Sequence, residues 1–262
     1  MKFSIVTCTK NSAKFLAENI ASVKAQSFTD FEHVFIDGFS TDGTVEMIKK
    51  YQAEFLDKVK FFQLPPAGIS AAMNAGIERS QGEFLIHLHS DDSLYDEKVL
   101  ADVAEFLQKN PELDWIYGLA NVIGEDSRSL YVYPNKLIMR PRNSKSFISR
   151  YLMKILRSSV PHQAVFIRKS VFEKFGAFDE GLNAAMDKDL WFRIRTKTNW
   201  SFFKRIICNY RSWEGAQSFD TGKRQENLES MRKVQKRYLN PLDFFLVAVI
   251  GEIRTWRDKN LK

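Results

Sequence analysis

The sequence contains few cysteines and no long apolar run. Cys8 and Cys208 are the two thiols among 262 residues, and both lie in apolar segments that predict strands. Two cysteines are too few for a disulfide framework, so we expect buried, reduced thiols and a cytoplasmic location. No apolar stretch reaches the roughly 18 residues that cross a bilayer. Met1-Lys2 leads directly into a predicted strand, so we also expect no signal peptide.

Two common nucleotide-binding signatures are also missing. Neither Gly-x-Gly-x-x-Gly nor Gly-x-x-x-x-Gly-Lys-Ser/Thr follows the first predicted strand, which excludes an ordinary dinucleotide site and a P-loop. The sequence shows no internal repeat and no low-complexity segment. With 44% hydrophobic and 27% charged residues, the composition is that of a folded protein with one large core.

A hydrophobic strand that ends in two adjacent carboxylates is the most informative feature that is present. Residues 82–92 are Gly-Glu-Phe-Leu-Ile-His-Leu-His-Ser-Asp-Asp. Adjacent carboxylates repel each other unless a cation or the donors of a ligand lie between them, and α/β sheets bind ligands at strand ends. Asp91 and Asp92 therefore predict a metal and diphosphate site. The alternative is an exposed acidic turn that caps the next helix.

Three earlier segments predict a parallel sheet. Residues 2–8 predict a buried strand followed by a helix, and residues 33–37 predict a second strand, which ends in Asp37 and leads to a helix near Thr44. Residues 68–77 predict a third helix, which leads into the acidic strand. Alternation of strands and helices in this order is typical of a parallel, doubly wound α/β sheet.

Taken together, these motifs resemble those of the family 2 glycosyltransferases, which have the GT-A fold and serve bacterial surface-polysaccharide and O-antigen biosynthesis. The segment Ile-Asp-Gly-Phe-Ser-Thr-Asp-Gly-Thr at 36–44 is one example. The resemblance runs in the same order from residue 3 to about residue 218. The matching segments are 5–11, 36–44, 68–77, 90–92, 162–166, 175–180 and 187–193.

The resemblance implies a domain plan and an activity. It implies a GT-A catalytic domain over residues 1–221, with a nucleotide-binding half (1–92) and an acceptor-side half (93–221), and a helical extension over 222–262. The implied enzyme is an inverting, metal-dependent hexosyl- or N-acetylhexosaminyl-transferase. It uses a nucleotide-sugar donor, which we expect to be UDP-linked, and a lipid-linked or glycan acceptor of lipopolysaccharide type. Its implied place is the cytoplasm, peripheral on the inner face of the cell membrane.

The resemblance also implies roles for individual residues. Donor binding is assigned to Thr7, Thr9, Asn11, Asp37, Asn74 and Asp91. Asp92 is the implied ligand of Mn²⁺ or Mg²⁺, with His162 as a second candidate, and Asp187 is the implied catalytic base. Four positions depart from the commoner family pattern and leave the matching donor contacts open. They are Pro66-Ala67, where Asp-Lys is frequent, Met73, where Arg is common, Met186, where Glu is common, and His89, where Asn or Asp is common.

Elementary chemistry agrees with these roles. A leaving diphosphate carries about two negative charges, which a divalent cation held by a carboxylate neutralises. The acceptor hydroxyl loses its proton as it attacks the anomeric carbon, and a carboxylate can take that proton. Asp187 begins a predicted helix whose other face carries Leu190, Trp191 and Ile194. The alternative role of Asp187 is that of a helix N-cap.

The four histidines give a weaker metal signal. His87 and His89 are two residues apart on a predicted strand and should share one face, but no further Cys or His lies at a zinc-like spacing. His33 is expected on the surface of its strand. His162 is either a ligand of the diphosphate or cation, or a hydrogen-bonded structural residue.

The basic residues are concentrated in two later segments. Residues 1–135 hold 12 Lys/Arg against 20 Asp/Glu, residues 136–174 hold 10 against 1, and residues 222–262 hold 10 against 5. Residues 145–157 place an apolar stripe between basic residues, which predicts either a helix on an anionic membrane or an ordinary amphipathic helix. The apolar and basic tail at 242–257 predicts either contact with a membrane or docking on the catalytic domain or on another subunit.

Two other function classes stay open at this point. A nucleotidyltransferase also uses strand-end carboxylates and a metal, but it needs a glycine-rich phosphate loop near the first strand, and residues 7–11 lack one. A catalytically inactive sugar-nucleotide-binding protein is the second alternative, and the intact set of carboxylates argues against it. Nucleic-acid binding is not expected, because no recognised module is present and aromatic residues do not alternate with basic ones.

Overall fold

The computed structural model describes residues 2–134, 160–182, 184–214 and 224–241. Nine strands and seven α-helices lie within these ranges: β1 (Phe3–Thr9), α1 (Ala13–Lys24), β2 (Phe31–Asp37), α2 (Thr44–Glu54), β3 (Val59–Gln63), α3 (Ile69–Arg79), β4 (Phe84–His87), β5 (Ser93–Leu94), α4 (Val99–Lys109), β6 (Trp115–Ile123), β7 (Ser129–Tyr133), β8 (Val165–Arg168), α5 (Lys169–Phe175), α6 (Met186–Ile194), β9 (Trp200–Arg211) and α7 (Arg224–Tyr238). A 3-10 helix, His162–Ala164, precedes β8.

Membrane contact is predicted for two segments, 145–157 and 242–257, and both lie outside the described residues. In the part of the chain that the structure describes, no helix combines the length and the apolar character needed to cross a bilayer.

The described strands form one mixed sheet. Its order is β3-β2-β1-β4-β8-β6-β9-β5, and β7 pairs with β6. The four strands β3, β2, β1 and β4 are parallel, which confirms the predicted doubly wound half. Beyond them, β8 is antiparallel to β4 and to β6, and β9 is parallel to β6. The sheet is therefore parallel on one side and mixed on the other.

The register of β1, β2 and β4 brings the predicted site residues to one edge of the sheet. Thr9 at the end of β1 lies beside Asp37 at the end of β2, and Val6 of β1 pairs with His87 at the end of β4. Because the carboxyl ends of parallel strands share an edge, the loops that follow these three strands meet there.

The core lies on both faces of this sheet. Alternate residues of a strand point to opposite faces, so Ile5 and Ile86 pack with α4, whereas Val6 and Leu85 pack with α3, α5 and α6. Gly76 allows α3 to lie directly on β1, because a Cβ at this position would overlap Val6 Cγ1. Close packing here holds α3 against β1.

Helix α7 is docked on α6 through its last turn. Arg237 donates to Asp179 at 2.5 Å and to Asp189 at 3.2 Å, and the Tyr238 hydroxyl donates to Asp189 at 3.0 Å. The ring of Tyr238 stacks on Phe192, with ring centroids 5.3 Å apart. Within the extension predicted over 222–262, the structure thus describes one helix, and it packs against the helix that carries Asp187.

Candidate active site

A first cavity opens at the carboxyl ends of β1 and β2. Its volume is about 550 Å³. Thr9, Lys10, Asp37 and Gly38 form one wall, and the loop from Leu64 to Ile69 forms the other. Pockets at strand ends of an α/β sheet are where such folds bind nucleotides, and this volume is large enough for a nucleoside.

The Asp37 carboxylate is buried and fully occupied. Its Oδ1 accepts from Thr9 Oγ1 at 2.8 Å and Ser40 Oγ at 2.5 Å, while its Oδ2 accepts from Ser40 N at 2.9 Å and Gln63 Nε2 at 3.1 Å. Burial alone would raise the pKa of Asp37, but the bonds from Ser40, Thr9 and Gln63 outweigh it and hold the pKa below its ordinary value. A carboxylate has about four lone-pair sites, so contact with a base requires one of these donors to leave.

Asn11 joins the loops that follow β1 and β2. Its backbone N–H donates to Ser40 Oγ at 2.8 Å, and its side-chain Oδ1 accepts from Thr41 N at 2.9 Å. The residue has a positive φ of 50°, which asparagine tolerates better than most residues. Asn11 therefore shapes the rim of the first cavity, and a direct donor contact by Asn11 stays a prediction.

Thr7 lies inside the sheet and not in the cavity. Thr7 Oγ1 donates to the Leu88 carbonyl at 2.8 Å and accepts from His33 Nε2 at 2.9 Å. Both residues are fully buried. This placement contradicts two expectations. Thr7 is expected to bind the nucleotide sugar, but its hydroxyl is buried and bound within the sheet, and His33 is expected on the surface, but it is buried. Burial lowers the pKa of His33 to about 3, which keeps the imidazole neutral.

Asn74 also serves the fold. Its Nδ2 donates to the Phe178 carbonyl at 2.9 Å and to Glu180 Oε1 at 2.8 Å, and its Oδ1 accepts from Phe178 N at 2.9 Å. The amide thus ties α3 to the segment that precedes α6. Both Nδ2 hydrogens and one lone pair of Oδ1 are occupied, so contact of Asn74 with the nucleotide sugar stays a prediction.

The acidic pair divides into an inner and an outer carboxylate. Asp92 is 1% exposed, and its Oδ1 accepts from Arg211 N at 2.8 Å. Burial, reinforced by the charge of Asp91, raises the pKa of Asp92 well above its usual range. Asp91 is partly exposed, and its Oδ2 accepts from Trp213 Nε1 at 3.0 Å. Asp92 Oδ2 is buried without a hydrogen-bond partner among the described residues, so its role as cation ligand stays a prediction, while Asp91 is the more accessible of the two carboxylates.

Three residues that the motif analysis missed hold this acidic turn. Asn19 of α1 donates to the carbonyls of His89 at 2.9 Å and Asp92 at 3.1 Å. Arg211 Nε donates to the Asp91 carbonyl at 3.1 Å, and Trp213 binds the Asp91 carboxylate. Neither Arg211 nor Trp213 stands near the acidic pair in sequence, so a local motif could not reveal them.

A second cavity, of about 470 Å³, contains Asp187. It lies beside the first, since Ile69 lines both. Other lining residues are His89 and His162 on the sheet side and Asn227 and Met231 on α7. Among the described residues, no hydrogen bond to the Asp187 side chain is seen, whereas Asp189 is buried and bound by Arg193, Arg237 and Tyr238. Asp187 thus presents an unoccupied carboxylate to the cavity.

Three histidine rings lie together at the border of the second cavity. The His162 ring centroid is 5.4 Å from that of His87 and 5.8 Å from that of His89. The strand β4 ends at His87, so His89 does not lie on it as predicted, although both rings approach His162. Burial lowers the pKa of His89, and the charges of Asp91 and Asp187 partly oppose that change. Both His162 ring nitrogens are buried without a hydrogen-bond partner in the described ranges. Its role as a ligand stays a prediction.

The outer carboxylate fits a cation that arrives with a diphosphate. Mg²⁺ at nucleotide sites is held by one or two carboxylates together with phosphates and waters, and Mn²⁺ prefers the same oxygen ligands. Asp91 offers such an oxygen, since no hydrogen bond to its Oδ1 is seen among the described residues. Within the same ranges, no group of three or more His, Cys, Asp or Glu side chains forms a cage. The donor set suits a cation shared with substrate.

Comparison of sequences gives one family and several relatives. The family model described as Glycosyl transferase family 2 matches residues 4–176. A PGL/p-HBAD biosynthesis glycosyltransferase of Mycobacterium bovis is 28% identical over 218 residues, which cover 81% of this chain and 78% of the relative. An uncharacterized glycosyltransferase of Rickettsia conorii is 30% identical over 211 residues, which cover 79% of this chain and 33% of that longer relative.

Comparison of structures gives the same fold. Staphylococcus aureus TarS 1-349 in complex with UDP-GlcNAc has a TM-score of 0.71 at 23% identity, covering 92% of this chain and 67% of that one. The mannosyltransferase PcManGT of Pyrobaculum calidifontis, in complex with GDP-Man and Mn²⁺, has a TM-score of 0.65 at 15% identity, covering 94% of this chain and 67% of that one. These likenesses confirm the predicted GT-A fold.

Proposed function

Because the chain belongs to the family 2 glycosyltransferases, we propose that it moves one sugar from a UDP-linked donor to an acceptor hydroxyl with inversion at the anomeric carbon. The observation that carries this proposal is the position of Asp187. Its carboxylate lines a cavity that adjoins the nucleotide-side cavity at Ile69. A base in this position faces the reacting end of a donor whose nucleoside lies in the first cavity.

The first cavity holds the nucleoside, and the Asp37 turn shapes it. Thr9, Ser40 and Gln63 fix the Asp37 carboxylate, and the bond from Gln63, at 3.1 Å, is the longest of the four. An N–H group of the base can take the place of Gln63 on Oδ2 without disturbing the turn bonds from Ser40 and Thr9. Asp37 then serves both as the brace of the turn and as the base contact.

Asp91 holds the divalent cation on the diphosphate side. When bound, Mn²⁺ or Mg²⁺ neutralises the charge that develops on the leaving diphosphate. The protein's own contribution is to keep Asp91 partly exposed and fixed in direction by the Trp213 N–H. Asp92 supports the same turn from within through the Arg211 backbone.

Asp187 takes the proton of the acceptor. A new bond forms between the acceptor oxygen and the anomeric carbon, the bond from that carbon to the diphosphate oxygen breaks, and the acceptor proton passes to the Asp187 carboxylate. Attack from the face opposite to the leaving group inverts the configuration. Since Asp187 has no competing hydrogen bond among the described residues, its oxygens are available for this proton.

The acceptor is a lipid-linked or glycan hydroxyl presented at an anionic membrane surface. The basic excess of residues 136–174 and 222–262 supports this part of the proposal, since each basic residue near an anionic surface contributes about 1 kcal/mol. Exposed apolar side chains on β7, Leu130 and Tyr131, which are 57% and 56% exposed, add to such a surface. Co-sedimentation with anionic liposomes at low and high salt tests it, and an intact chain that stays in the supernatant at low salt contradicts it.

The decisive experiment compares Asp187→Asn with the matched surface variant Asp57→Asn. UDP-sugars are first screened by thermal shift with Mn²⁺, since a ligand stabilises only a protein that binds it. Turnover of the best donor, measured as UDP release, should fall about a hundredfold or more in Asp187→Asn, with UDP affinity unchanged. Asp57→Asn should match the wild type. Loss of UDP binding in Asp187→Asn would make Asp187 a donor ligand or a structural residue.

The same assay separates an enzyme from an inactive binding protein. A wild-type protein that binds a UDP-sugar with Mn²⁺ but never releases UDP, with water or with any acceptor, would be a sugar-nucleotide-binding protein. The anomeric configuration of the transferred sugar, read by NMR, tests inversion, and retention of configuration would exclude a single displacement with Asp187 as base.

A further inference from the structure

Residues at and just after the end of β9, which are distant in sequence, hydrogen-bond the turn that carries Asp91 and Asp92. Arg211 N donates to Asp92 Oδ1 at 2.8 Å, Arg211 Nε donates to the Asp91 carbonyl at 3.1 Å, and Trp213 Nε1 donates to Asp91 Oδ2 at 3.0 Å. Of these three bonds, the one from Trp213 reaches the outer carboxylate itself. It is therefore the contact that sets the direction of the Asp91 side chain.

The Trp213 ring is itself held in place. Its edge meets Phe15, with ring centroids 5.2 Å apart and planes at 73°. Lys14 Nζ lies over the indole, 4.7 Å from the ring centroid. A ring packed between an aromatic and a cation keeps its rotamer. The indole N–H consequently points in a fixed direction, and it binds one carboxylate oxygen while leaving the other without a hydrogen bond among the described residues.

We infer that Trp213 is a positioning residue for the cation at Asp91. This inference rests on the proposed function, because it assumes that Asp91 meets a cation and a diphosphate. Carboxylates that bind metals are themselves usually hydrogen-bonded, and loss of such an outer partner typically weakens metal affinity by about 10- to 100-fold. With Oδ2 held by the indole, Oδ1 is the oxygen presented to the cation. Without the indole, the Asp91 carboxylate rotates freely, and binding of the cation then costs side-chain conformational entropy.

The test measures binding and not turnover. Mn²⁺ is titrated calorimetrically into the full chain with saturating UDP for the wild type, Trp213→Phe and Trp200→Phe. Trp213→Phe should weaken Mn²⁺ about 10- to 100-fold, while UDP affinity in excess chelator stays unchanged. Trp200→Phe is the matched control, because the Trp200 indole donates to the Arg195 carbonyl at 2.9 Å and not to a carboxylate. It should bind Mn²⁺ like the wild type.

A double-mutant cycle shows whether Trp213 acts through Asp91. In an Asp91→Asn background, Trp213→Phe should cause no further loss of Mn²⁺ affinity. An equal loss in both backgrounds, or an unchanged Mn²⁺ affinity in Trp213→Phe, overturns the inference. If Trp213→Phe does not fold, Trp213→His, which keeps a ring N–H, takes its place and should lose less affinity than Asp91→Asn; an equal loss counts against the inference.

The outcomes also separate this inference from the proposed function. If the wild type binds no Mn²⁺ in the presence of UDP, the assumed cation site fails, and the role of Trp213 fails with it. If the wild type binds Mn²⁺ with UDP and Trp213→Phe binds it equally well, the proposed function stands and the positioning role alone is refuted.

Discussion

Arg211→Met should measurably destabilise this protein. The Arg211 side chain is 1% exposed, and its guanidinium donates to five acceptors: the Asp91 carbonyl at 3.1 Å, the Gly124 carbonyl at 3.2 Å, the Glu125 carbonyl at 3.0 Å, Ser127 Oγ at 3.0 Å and Glu18 Oε2 at 2.5 Å. Methionine fills much of the volume but donates to none of them.

The size of the effect follows from these contacts. Leaving a shielded carbonyl without its donor costs about 1–3 kcal/mol, whereas Glu18 and Ser127 are exposed and exchange the guanidinium for water. A chain of this length shifts its melting temperature by roughly 2–4 °C per kcal/mol. With a loss of about 1–3 kcal/mol, Arg211→Met should therefore melt about 2–12 °C below the wild type. The melting temperature of Arg211→Lys should lie between those of Arg211→Met and the wild type, because lysine keeps the charge but cannot reach five acceptors.

Thermal and urea unfolding of the UDP-free protein measure this difference. The matched control is Arg205→Met: Arg205 bridges Asp96 at 2.5 Å and Asp102 at 2.8 Å, but its side chain is 19% exposed and those carboxylates are exposed further. Water replaces its partners, so the loss should be much smaller. A loss of less than about 1 kcal/mol in Arg211→Met would show that the buried guanidinium is not the clamp of this loop.

Three further predictions concern the site and its pH dependence. Asp91→Asn should weaken Mn²⁺ binding in the presence of UDP at least about tenfold. Asp92→Asn should mainly change thermal stability. If calorimetry instead shows that Asp92→Asn weakens Mn²⁺ binding and Asp91→Asn does not, Asp92 is the ligand. The free energy of unfolding should fall as the pH drops from about 6.5 towards 3. Burial lowers the pKa of His33 and of His87 to about 3, so the unfolded chain binds protons at a higher pH than the folded chain does. His33→Gln should reduce this slope by up to about 1.4 kcal/mol per pH unit, and an unchanged slope in urea titrations contradicts the prediction. Arg237→Ala should reduce turnover about tenfold or more without changing UDP affinity, because α6 loses its ion pair with α7. The control variant Lys236→Ala, at an exposed neighbouring position, should keep the turnover of the wild type. Equal turnover in the two variants refutes the link.

The sequence predicted the first half of the fold well because its elements are local. The strand ends at Asp37 and the helix starts at Thr44 as predicted, since hydrophobic alternation and turn residues decide both. The position of β8 between β4 and β6 was not predicted, because β8 comes about 80 residues after β4 in the chain and its pairing is a long-range choice.

The site residues predicted from the sequence divide into those that line a cavity and those that serve the interior of the fold. Asp187 and Asp37 line the cavities as expected. Thr7 and Asn74 carry polar groups suited to a ligand, yet both side chains donate hydrogen bonds to backbone carbonyls distant in sequence, those of Leu88 and Phe178. Hydrogen bonds between residues so far apart leave no periodic trace in the sequence.

The docking of α7 sets a rule for exchanging parts between relatives. Asn227 and Met231 of α7 line the cavity that contains Asp187, so this helix is a module with which acceptor preference could be re-engineered. Its last turn, however, is tied to the Asp189 carboxylate two residues after Asp187. A chimera that imports α7 alone leaves a buried carboxylate without its arginine and tyrosine. A workable graft carries residues 179–192 together with 224–238, so that the charges and the stacked rings move as one unit.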